Sequence, residues 1–598
     1  MRQIFGRKKE RKLLDFLRGT SLIMERKQYI RKEEEFEKMG LILRCLKKYK
    51  GLFLLNLISV FGFALVEIGI PTIVAQMIDV GVSTGNTAYL YQQGGVIFLI
   101  SVIGVCGTLT MGFCCAKIST SITRDIRNEV FEKIQTFSRS EFNKFGVSSL
   151  ITRTNNDAFQ IQMFVNVILR TALLTPVMIC VSFFMTIKAS LDLSLIILAT
   201  VPVIVLGIVI VAKVSRPISE NQQASLDSLN RISRENLTGI RVIRAFNNDH
   251  HEAARFNQAN VEFMGYSKRL FKLMSVTQPL FFFLMNIAGL FIFWTAAKLI
   301  DAGQIQAGQL VAFMDYLFHA MLSVMLFCLV FMMYPRAAVS ARRIQAVLDT
   351  EPLIRNEKQG EKGEQIERIA FENVTFVYPD GEEAVLKDIS FEVKKGETIA
   401  FIGSTGSGKS TLINLVPRFY DASSGKVTIN GKDIREWDMD VLREHIGFIP
   451  QKAFLFNGTI AENIRFGKED ATTEEMVHAA KIAQAYDFIM EKPKQFEEPI
   501  TENATNVSGG QRQRLSITRA LVRKPDVYVF DDSFSALDLR TDARLRKALK
   551  PEIRDAIVMI VAQRISTIMD ADRIVVLDEG KVVGAGKHRE LLKTCRIY

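Results

Sequence analysis

Six long apolar runs constrain what this chain can fold into more than any other feature of its sequence. They cover residues 51–79, 94–116, 164–187, 191–212, 275–300 and 309–334. Each run is long enough to span ~30 Å of hydrocarbon as an α-helix, whereas the buried helices of a soluble core are shorter and amphipathic. The sequence therefore predicts six transmembrane helices.

The distribution of Lys and Arg between the loops predicts the orientation of these helices. The loops at 80–93 and 301–308 contain neither residue, and the turn at 188–190 contains a single Lys. The loops at 117–163 and 213–274 carry seven and ten. Because Lys and Arg are enriched in cytoplasmic loops, we expect the two long loops and both termini to be cytoplasmic in a multi-pass membrane protein.

The chain divides into four parts by composition. We predict a charged N-terminal extension (1–40), a helical transmembrane domain (41–335), a polar linker (336–367) and a soluble α/β domain (368–598). Residues 41–50 are typical of a short interfacial helix before the first span. The net charge of +12 reflects the loop bias and the basic N-terminus, so a nucleic-acid partner is not predicted.

A phosphate-binding loop follows the apolar stretch 398–402 of the soluble domain. The sequence GSTGSGKS matches the pattern GxxxxGK[ST], whose glycines let backbone N–H groups approach phosphate oxygens. Lys409 is expected to bind the β- and γ-phosphates of a nucleotide, and the Ser410 hydroxyl to ligate Mg²⁺. The candidate binding residues are Gly403, Ser404, Thr405, Gly406, Ser407, Gly408, Lys409, Ser410 and Thr411.

Residues 506–514 read NVSGGQRQR and resemble the signature motif of ATP-binding cassette (ABC) proteins. The resemblance implies a P-loop nucleotide-binding domain of α/β fold, with ATP and Mg²⁺ as cofactors. It also implies that the signature contacts the γ-phosphate held by the opposite cassette of a dimer, through Ser508, Gly509, Gly510 and Gln511.

Five further residues match ABC motifs in the expected order. By similarity, Tyr378 stacks on adenine, and Gln451 reaches Mg²⁺ and senses the membrane domain. Asp531 ends the apolar stretch 527–531. By similarity, it is expected to bind the metal ion together with Ser410 and Gln451. The remaining matches are Glu502, which is expected to contact cytoplasmic loops, and Asp538 of the D-loop.

Six spans ahead of one cassette resemble the multidrug and lipid exporter class, over residues 41–598. The resemblance places short coupling helices near Arg124–Arg127 and Glu235–Arg241. It also implies a working unit of two such chains, so that a second half-transporter is an expected partner, in a bacterial cytoplasmic membrane.

Two catalytic positions depart from the family pattern. Asp532 stands where the family normally has Glu, and Gln563 stands at the switch position, normally His. The shorter carboxylate and an amide that cannot become cationic predict weak hydrolysis at this chain's own site, within a heterodimer with one competent site. The alternative is an active homodimer that tolerates both changes.

Within the membrane domain, Glu67 is a candidate for recognising cationic substrates. The alternative is a paired structural residue near the membrane boundary. Asp315 and His319 are spaced i, i+4 and share a helix face, so that they line a cavity or simply pair with each other. Most of the clustered phenylalanines are expected to face lipid or neighbouring helices, and a minority to form an aromatic cavity: Phe281, Phe282, Phe283, Phe291, Phe293, Phe313, Phe318, Phe327 and Phe331.

These observations favour ATP-driven export of amphipathic small molecules, in contact with membrane lipid. Lipids and peptides are alternative substrates of the same fold. A rival of another class is an ATP-gated channel or regulatory sensor, and the sequence shows neither a long regulatory insertion nor a continuous charged pore. The six spans exclude a soluble ABC ATPase that acts on DNA.

Overall fold

The structure, a computed structural model, describes residues 40–355 and 364–598. Six described helices are long and apolar enough to cross a membrane, which confirms the predicted spans. Most of the predicted N-terminal extension and Asn356–Gly363 of the predicted linker lie outside the described residues. The helices of the N-terminal half include these six and one short helix, α3. They are α1 (Gly40–Val82), α2 (Thr87–Gln135), α3 (Arg139–Phe145), α4 (Val147–Ala189), α5 (Leu191–Ala245), α6 (Asp249–Asp301) and α7 (Ala307–Leu348).

Three of these helices are much longer than a bilayer requires. α2, α5 and α6 contain 49, 55 and 53 residues, and at ~1.5 Å per residue each measures ~75–80 Å. These helices therefore continue well beyond a hydrocarbon core of ~30 Å. Residues 41–50, predicted as a short interfacial helix, are helical, and Tyr49 (φ −111, ψ 33) interrupts the helix just before the long apolar segment that starts at Lys50.

The predicted positions of the two coupling helices are wrong. Arg124–Arg127 lies inside the continuous helix α2, and Glu235–Arg241 lies inside α5. The chain leaves the helical conformation further along, where Gly146 (φ 75) and Asn247 (φ 51) adopt left-handed backbone conformations. The short helix of the first long loop is therefore α3, and the second loop turns just after α5.

Two of the clusters that buried apolar side chains form among these helices are large. One cluster joins α5, α6 and α7 around Phe313 and Ile292. The other joins α1, α4 and α7 around Ile68 and Tyr316. Large apolar side chains remain exposed on the outside of the helices, as expected of a surface that lipid covers, and they include Leu206, Phe283 and Trp294.

From Arg368 onward the chain alternates strands and helices. The strands are β1 (Arg368–Val377), β2 (Ala384–Lys394), β3 (Thr398–Gly403), β4 (Ser424–Ile429), β5 (Lys432–Asp433), β6 (Ile446–Ile449), β7 (Gly458–Thr459), β8 (Pro499–Ile500), β9 (Val527–Asp531), β10 (Ile557–Val561), β11 (Arg573–Asp578) and β12 (Lys581–Gly586). The helices are α8 (Lys409–Asn414), α9 (Met439–Glu444), α10 (Ile460–Arg465), α11 (Thr473–Ile482), α12 (Tyr486–Met490), α13 (Gly509–Arg523), α14 (Leu539–Glu552), α15 (Ile565–Ile568) and α16 (His588–Thr594).

The main sheet has six strands in the order β12-β11-β3-β10-β9-β6, parallel except for the edge strand β12. A second sheet, β2-β1-β4-β5, is antiparallel, and β7 pairs with β8. Every residue of β9 and β10 is buried, as expected of parallel strands covered on both faces. The predicted α/β fold of this domain is confirmed, and its main sheet is mostly parallel.

The strand order determines which motifs meet. β10 lies between β3 and β9, and Val561 pairs with Phe401 on one side and Asp531 on the other. The segments that follow these three strands therefore start at one edge of the sheet, where ligands bind in open α/β folds.

The boundaries of the domains differ from the prediction at two places. α7 continues through Pro335 to Leu348, so the predicted start of the linker at residue 336 falls inside a helix. Residues Thr136–Val147, which contain α3, belong to the same compact unit as the chain from Glu351 onward.

Candidate functional site

The loop after β3 requires glycine at its two ends. Gly408 has a left-handed conformation (φ 94), and a Cβ at this position would lie 2.7 Å from Leu386 Cδ2. A Cβ on Gly403 would lie 2.0 Å from the carbonyl oxygen of Leu577. The backbone therefore packs more closely here than other residues permit.

Lys409 lies at the centre of this loop. Its ammonium group donates hydrogen bonds to Gly403 O (2.9 Å), Ser404 O (2.7 Å) and Ser407 Oγ (3.3 Å). Burial lowers the pKa of Lys409, and the charges of Asp532 and Asp531 oppose that shift. The loop thus surrounds a cation with polar groups, and this arrangement suits a polyphosphate.

Asp531 ends β9 with its side chain facing the loop. Its Oδ1 accepts a hydrogen bond from Ser410 Oγ at 2.8 Å. Burial raises the pKa of Asp531, the Ser410 hydrogen bond opposes the rise, and the neighbouring Asp532 adds to it. A buried carboxyl and a hydroxyl in contact provide oxygen ligands for a hard cation such as Mg²⁺, which takes its other ligands from phosphate and water.

Asp532 is held by two amide side chains. Its backbone is in the left-handed region (φ 48). Its Oδ2 accepts hydrogen bonds from Gln563 Nε2 at 2.8 Å and from Gln451 Nε2 at 3.1 Å. Of the three expected metal ligands, Ser410 and Asp531 therefore contact each other, whereas Gln451 contacts the adjacent Asp532.

Tyr378 lies beside the loop as part of an aromatic group. Its hydroxyl is 2.8 Å from Thr411 Oγ1, and its ring packs edge-on against Tyr420, with centroids 5.3 Å apart. Tyr420 was missed by the sequence analysis. No local periodicity connects it to Tyr378, and only the fold brings the two rings together.

The signature residues form the start of α13. Ser508 caps this helix: its Oγ accepts from Gln511 N at 3.2 Å, and Gln511 Oε1 accepts from Ser508 N at 2.9 Å. Gly509 and Gly510 occupy the first turn. The beginning of a helix of 15 residues concentrates unpaired N–H groups and positive potential, which favours an anion.

The D-loop packs beneath this turn. A Cβ on Gly510 would lie 3.5 Å from Ala536 O, which is an ordinary contact. Asp538 caps α14 by accepting hydrogen bonds from Arg540 N (3.1 Å) and Thr541 N (2.9 Å). Glu502 lies in an exposed turn shortly before the signature.

In the membrane domain, the three candidate polar residues come together. His319 Nε2 lies 3.7 Å from Asp315 Oδ2 on the same helix and 4.0 Å from Glu67 Oε1 on α1. Next to this group, Thr72 Oγ1 and the Tyr316 hydroxyl are 2.6 Å apart. The carboxylates keep 38% and 45% of their side-chain surface exposed, so they are not sealed structural pairs.

The clustered phenylalanines separate into two groups. Phe281 and Phe313 are buried between helices. The exposed members are Phe282, Phe283, Phe291, Phe293 and Phe318. The side chain of Phe331 lies outside the described residues.

Comparisons with known proteins agree with this arrangement. Residues 53–341 match the ABC transporter transmembrane region, and residues 386–535 match the ABC transporter family. An uncharacterised ABC transporter ATP-binding protein of Bacillus subtilis, YfiB, is 36% identical, covering 93% of this chain and 96% of the relative. YgaD of the same organism, whose name assigns it provisionally to multidrug export, is 30% identical, covering 93% of this chain and 97% of the relative.

A third relative has a named lipid substrate. The ATP-dependent lipid A-core flippase of Haemophilus influenzae is 29% identical, covering 92% of this chain and 94% of the flippase. The six apolar helices, the nucleotide-binding fold and these matches agree along the chain. The chain therefore belongs to the ABC transporter family, as an exporter-type, ATP-binding, multi-pass membrane protein with its nucleotide-binding domain in the cytoplasm.

Proposed function

We propose that this chain is one half of a heterodimeric ABC exporter and that its own ATP site is degenerate. The observation that carries the proposal is the state of Asp532, whose Oδ2 accepts N–H donors from both Gln563 and Gln451. A general base must reach the attacking water within hydrogen-bond distance. Here the carboxylate is one methylene shorter than Glu and two amides already occupy the same oxygen.

Nucleotide binding itself requires none of the altered side chains. Lys409 contacts the β- and γ-phosphates, Tyr378 stacks on adenine, and Ser410 with Asp531 holds Mg²⁺. When bound, Mg²⁺ neutralises phosphate charge. Ser410 and Asp531 are already in contact at 2.8 Å, which supports their role as a pair of ligands. The site thus retains ATP and hydrolyses it slowly.

The signature of this chain serves the other site of the pair. Ser508 and Gly510 present the start of α13 to the γ-phosphate that the partner's P-loop holds. The capping of α13 by Ser508 and Gln511 supports this role, because it fixes the first turn in a helical conformation before any ligand arrives. In the competent site, the partner supplies the catalytic carboxylate and this chain supplies the signature.

Two exposed apolar surfaces support a second half-transporter as partner. The end of α5 exposes Leu237, Val242 and Phe246, by 75%, 60% and 80%. In the nucleotide-binding domain, three phenylalanine rings that contact one another are also exposed, namely Phe454, Phe456 and Phe466. Such surfaces are typical of protein contacts.

The proposed substrates are amphipathic small molecules, with cationic ones preferred. The names of the relatives YgaD and the lipid A-core flippase include multidrug export and lipid transport. In this chain, Glu67 and Asp315 place two half-exposed carboxylates on two helices around His319. A carboxylate pair within the membrane attracts an organic cation whose apolar part packs against neighbouring helices.

The ATPase rate of the purified chain alone, in detergent and in lipid, tests the degenerate site. We expect nucleotide binding that Lys409→Ala removes, together with a turnover on the order of 10²-fold or more below that of the assembled pair. Robust steady-state turnover by the single chain would instead support the homodimer.

Transport by the assembled pair tests the substrate class. Glu67→Gln is expected to reduce the export of cationic dyes several-fold, to spare neutral compounds and to leave basal ATPase unchanged, because only the substrate's charge loses a partner. Equal losses for both substrate types would favour a structural carboxylate, and ATP-dependent ion conductance without concentration of substrate would favour the channel alternative.

A further inference from the structure

A cavity opens in the helices that cover one face of the main sheet. It measures about 570 Å³ and is lined by α14, by α15 and by residues of β3 and β10. Its apolar floor comes from β10, from α14 and its C-cap, and from the segment after β9, namely Phe534, Leu549, Ile553, Val558 and Ile560. The volume is within the range of small-molecule sites, ~300–1,000 Å³. A space of this size over apolar side chains suits the apolar part of a ligand better than it suits water.

An arginine joins the two helices beside this cavity. The Arg546 guanidinium donates hydrogen bonds to both carboxylate oxygens of the buried Asp542, at 3.1 and 3.2 Å. It also donates to Ser566 O on α15 at 2.8 Å. Arg546 is itself part of the cavity lining. Because its contacts hold α14 and α15 together, the cavity is shaped before any ligand binds.

Three further cations line the cavity from the end of α14. Lys547 and Lys550 are three positions apart and share a helix face, and Arg554 follows the end of the helix. All three are exposed, and none of them forms an ion pair with another described residue. The acidic residues of the lining are Asp570 and Asp572, and Asp572 Oδ2 accepts a hydrogen bond from the first backbone N–H of β3 at 2.9 Å. The lining therefore carries more positive than negative charge and favours an anion.

We propose that this cavity binds a small amphipathic phosphate, that is, a phosphate group joined to a compact apolar body. The phosphate accepts hydrogen bonds from Lys547, Lys550 and Arg554, and the apolar body covers Phe534 and Ile560. A phosphate dianion gains more from three unpaired cations than a carboxylate, which carries one charge. The inference goes beyond the proposed function and does not depend on a degenerate ATP site.

The ligand contacts both segments that carry the altered catalytic positions. Phe534, at the floor of the cavity, follows Asp532 by two residues. Thr567, which lines the cavity from α15, follows Gln563 by four. A ligand packed between these segments slows their local opening, and hydrogen exchange detects such a change.

Equilibrium binding of 1-naphthyl phosphate to the full-length chain in lipid nanodiscs tests the proposal, with the P-loop saturated by a non-hydrolysable ATP analogue. We expect 1-naphthyl phosphate to bind about tenfold or more tightly than inorganic phosphate, which lacks the apolar body, and than 1-naphthol, which lacks the charge. 1-Naphthoate should bind more weakly than the phosphate. Hydrogen exchange should slow at 533–537 and 564–569 and stay unchanged at the P-loop.

The double variant Lys547→Gln with Lys550→Gln should weaken the binding of 1-naphthyl phosphate by about tenfold or more, as for the loss of hydrogen bonds to a charged group. It should leave the binding of 1-naphthol unchanged. Arg544→Gln is the matched control, because Arg544 is an exposed cation of the same helix that does not line the cavity. Equal affinities for 1-naphthyl phosphate and inorganic phosphate, wild-type affinity in the double variant, or the same loss in Arg544→Gln would overturn the proposal.

Discussion

The carboxylate edge of the main sheet and the start of α13 are built in opposite ways. At the sheet edge, Asp531 and Asp532 are buried, and each already has a hydrogen-bond donor from this chain. At the start of α13, Ser508 and Gly509 are exposed, and the capping contacts use the N–H groups of Ser508 and Gln511. The carboxylates of the first region are thus satisfied by contacts within the chain, whereas the start of α13 is exposed.

The two regions also differ in whether their residues depart from the family pattern. The sheet edge carries both departures from the family pattern, Asp532 and Gln563. Gln563 Nε2 donates a hydrogen bond to Asp532 Oδ2 at 2.8 Å. The signature keeps the family pattern, and its Ser508 and Gln511 cap each other. The predictions below test this contrast, from the largest expected effect to the smallest.

The largest effect is expected for Gly510→Asp in the assembled heterodimer. The new carboxylate would place a negative charge where the γ-phosphate approaches the start of α13, so turnover should fall by on the order of 10²-fold or more, as for the loss of a preorganised anion site. The ATPase rate measures it. Gly510→Ala should fold normally, because its Cβ meets Ala536 O at 3.5 Å, and it should be less harmful than Asp.

The second prediction is a gain of function at the sheet edge. Asp532→Glu together with Gln563→His should raise the ATPase rate of the isolated chain, on the order of 10²-fold, because the longer carboxylate advances by ~1.5 Å and His can carry charge. Either change alone should give little. A double variant that stays as slow as the wild-type chain would show that the two positions do not limit hydrolysis.

The third prediction concerns Asp532→Asn in the heterodimer with wild-type partner. An amide at this position still offers an oxygen to Gln563 or Gln451, and the residue is poorly placed as a base. We expect a loss of only a few-fold, against the ~10²–10⁴ that follows the loss of a true general base. If the loss equals that of Gly510→Asp, then Asp532 is a working base and the proposed asymmetry is wrong.

The smallest effect is expected for Asp538→Ala, which removes the cap of α14 beneath the signature helix. Removing such a cap leaves N–H groups of the first turn without an acceptor and lowers the free energy of unfolding slightly. Hydrogen bonds from the Thr541 side chain and backbone hold the pKa of Asp538 below its ordinary value. The difference in stability should therefore persist down to the ordinary Asp pKa of about 4 and disappear as the pH falls through the lower folded value. Thermal unfolding as a function of pH measures it, and Asp538→Asn should retain most of the cap.

Much of the fold could be predicted from the sequence because its signals are local. The length of each apolar run determines that a helix can span a membrane, and the spacing of glycines and Lys409 determines a phosphate-binding loop after β3. The boundaries were less predictable. α7 passes through Pro335 and ends only at Leu348, because interactions with neighbouring helices allow a proline that an isolated helix would not tolerate.

The contacts within the two sites join residues that are far apart in the sequence, so no local pattern could predict them. Gln563 and Gln451 meet at one oxygen of Asp532, from 31 and 81 positions away, because the sheet order places β10 beside β9. Asp315 and His319 could be paired by helical spacing, whereas Glu67 joins them only through the packing of α1 against α7.

Residue type and spacing along the chain were enough to predict the six spans, the cassette and the two altered catalytic positions. Three features become apparent only in the folded chain. Gln563 and Asp532 are hydrogen-bonded, the ring of Tyr420 packs against that of Tyr378, and α3 packs with the nucleotide-binding unit. The physical reason is that hydrogen bonds and ring contacts act over a few ångströms. Residues far apart in the sequence interact only after the strand order and helix packing have brought them within that distance.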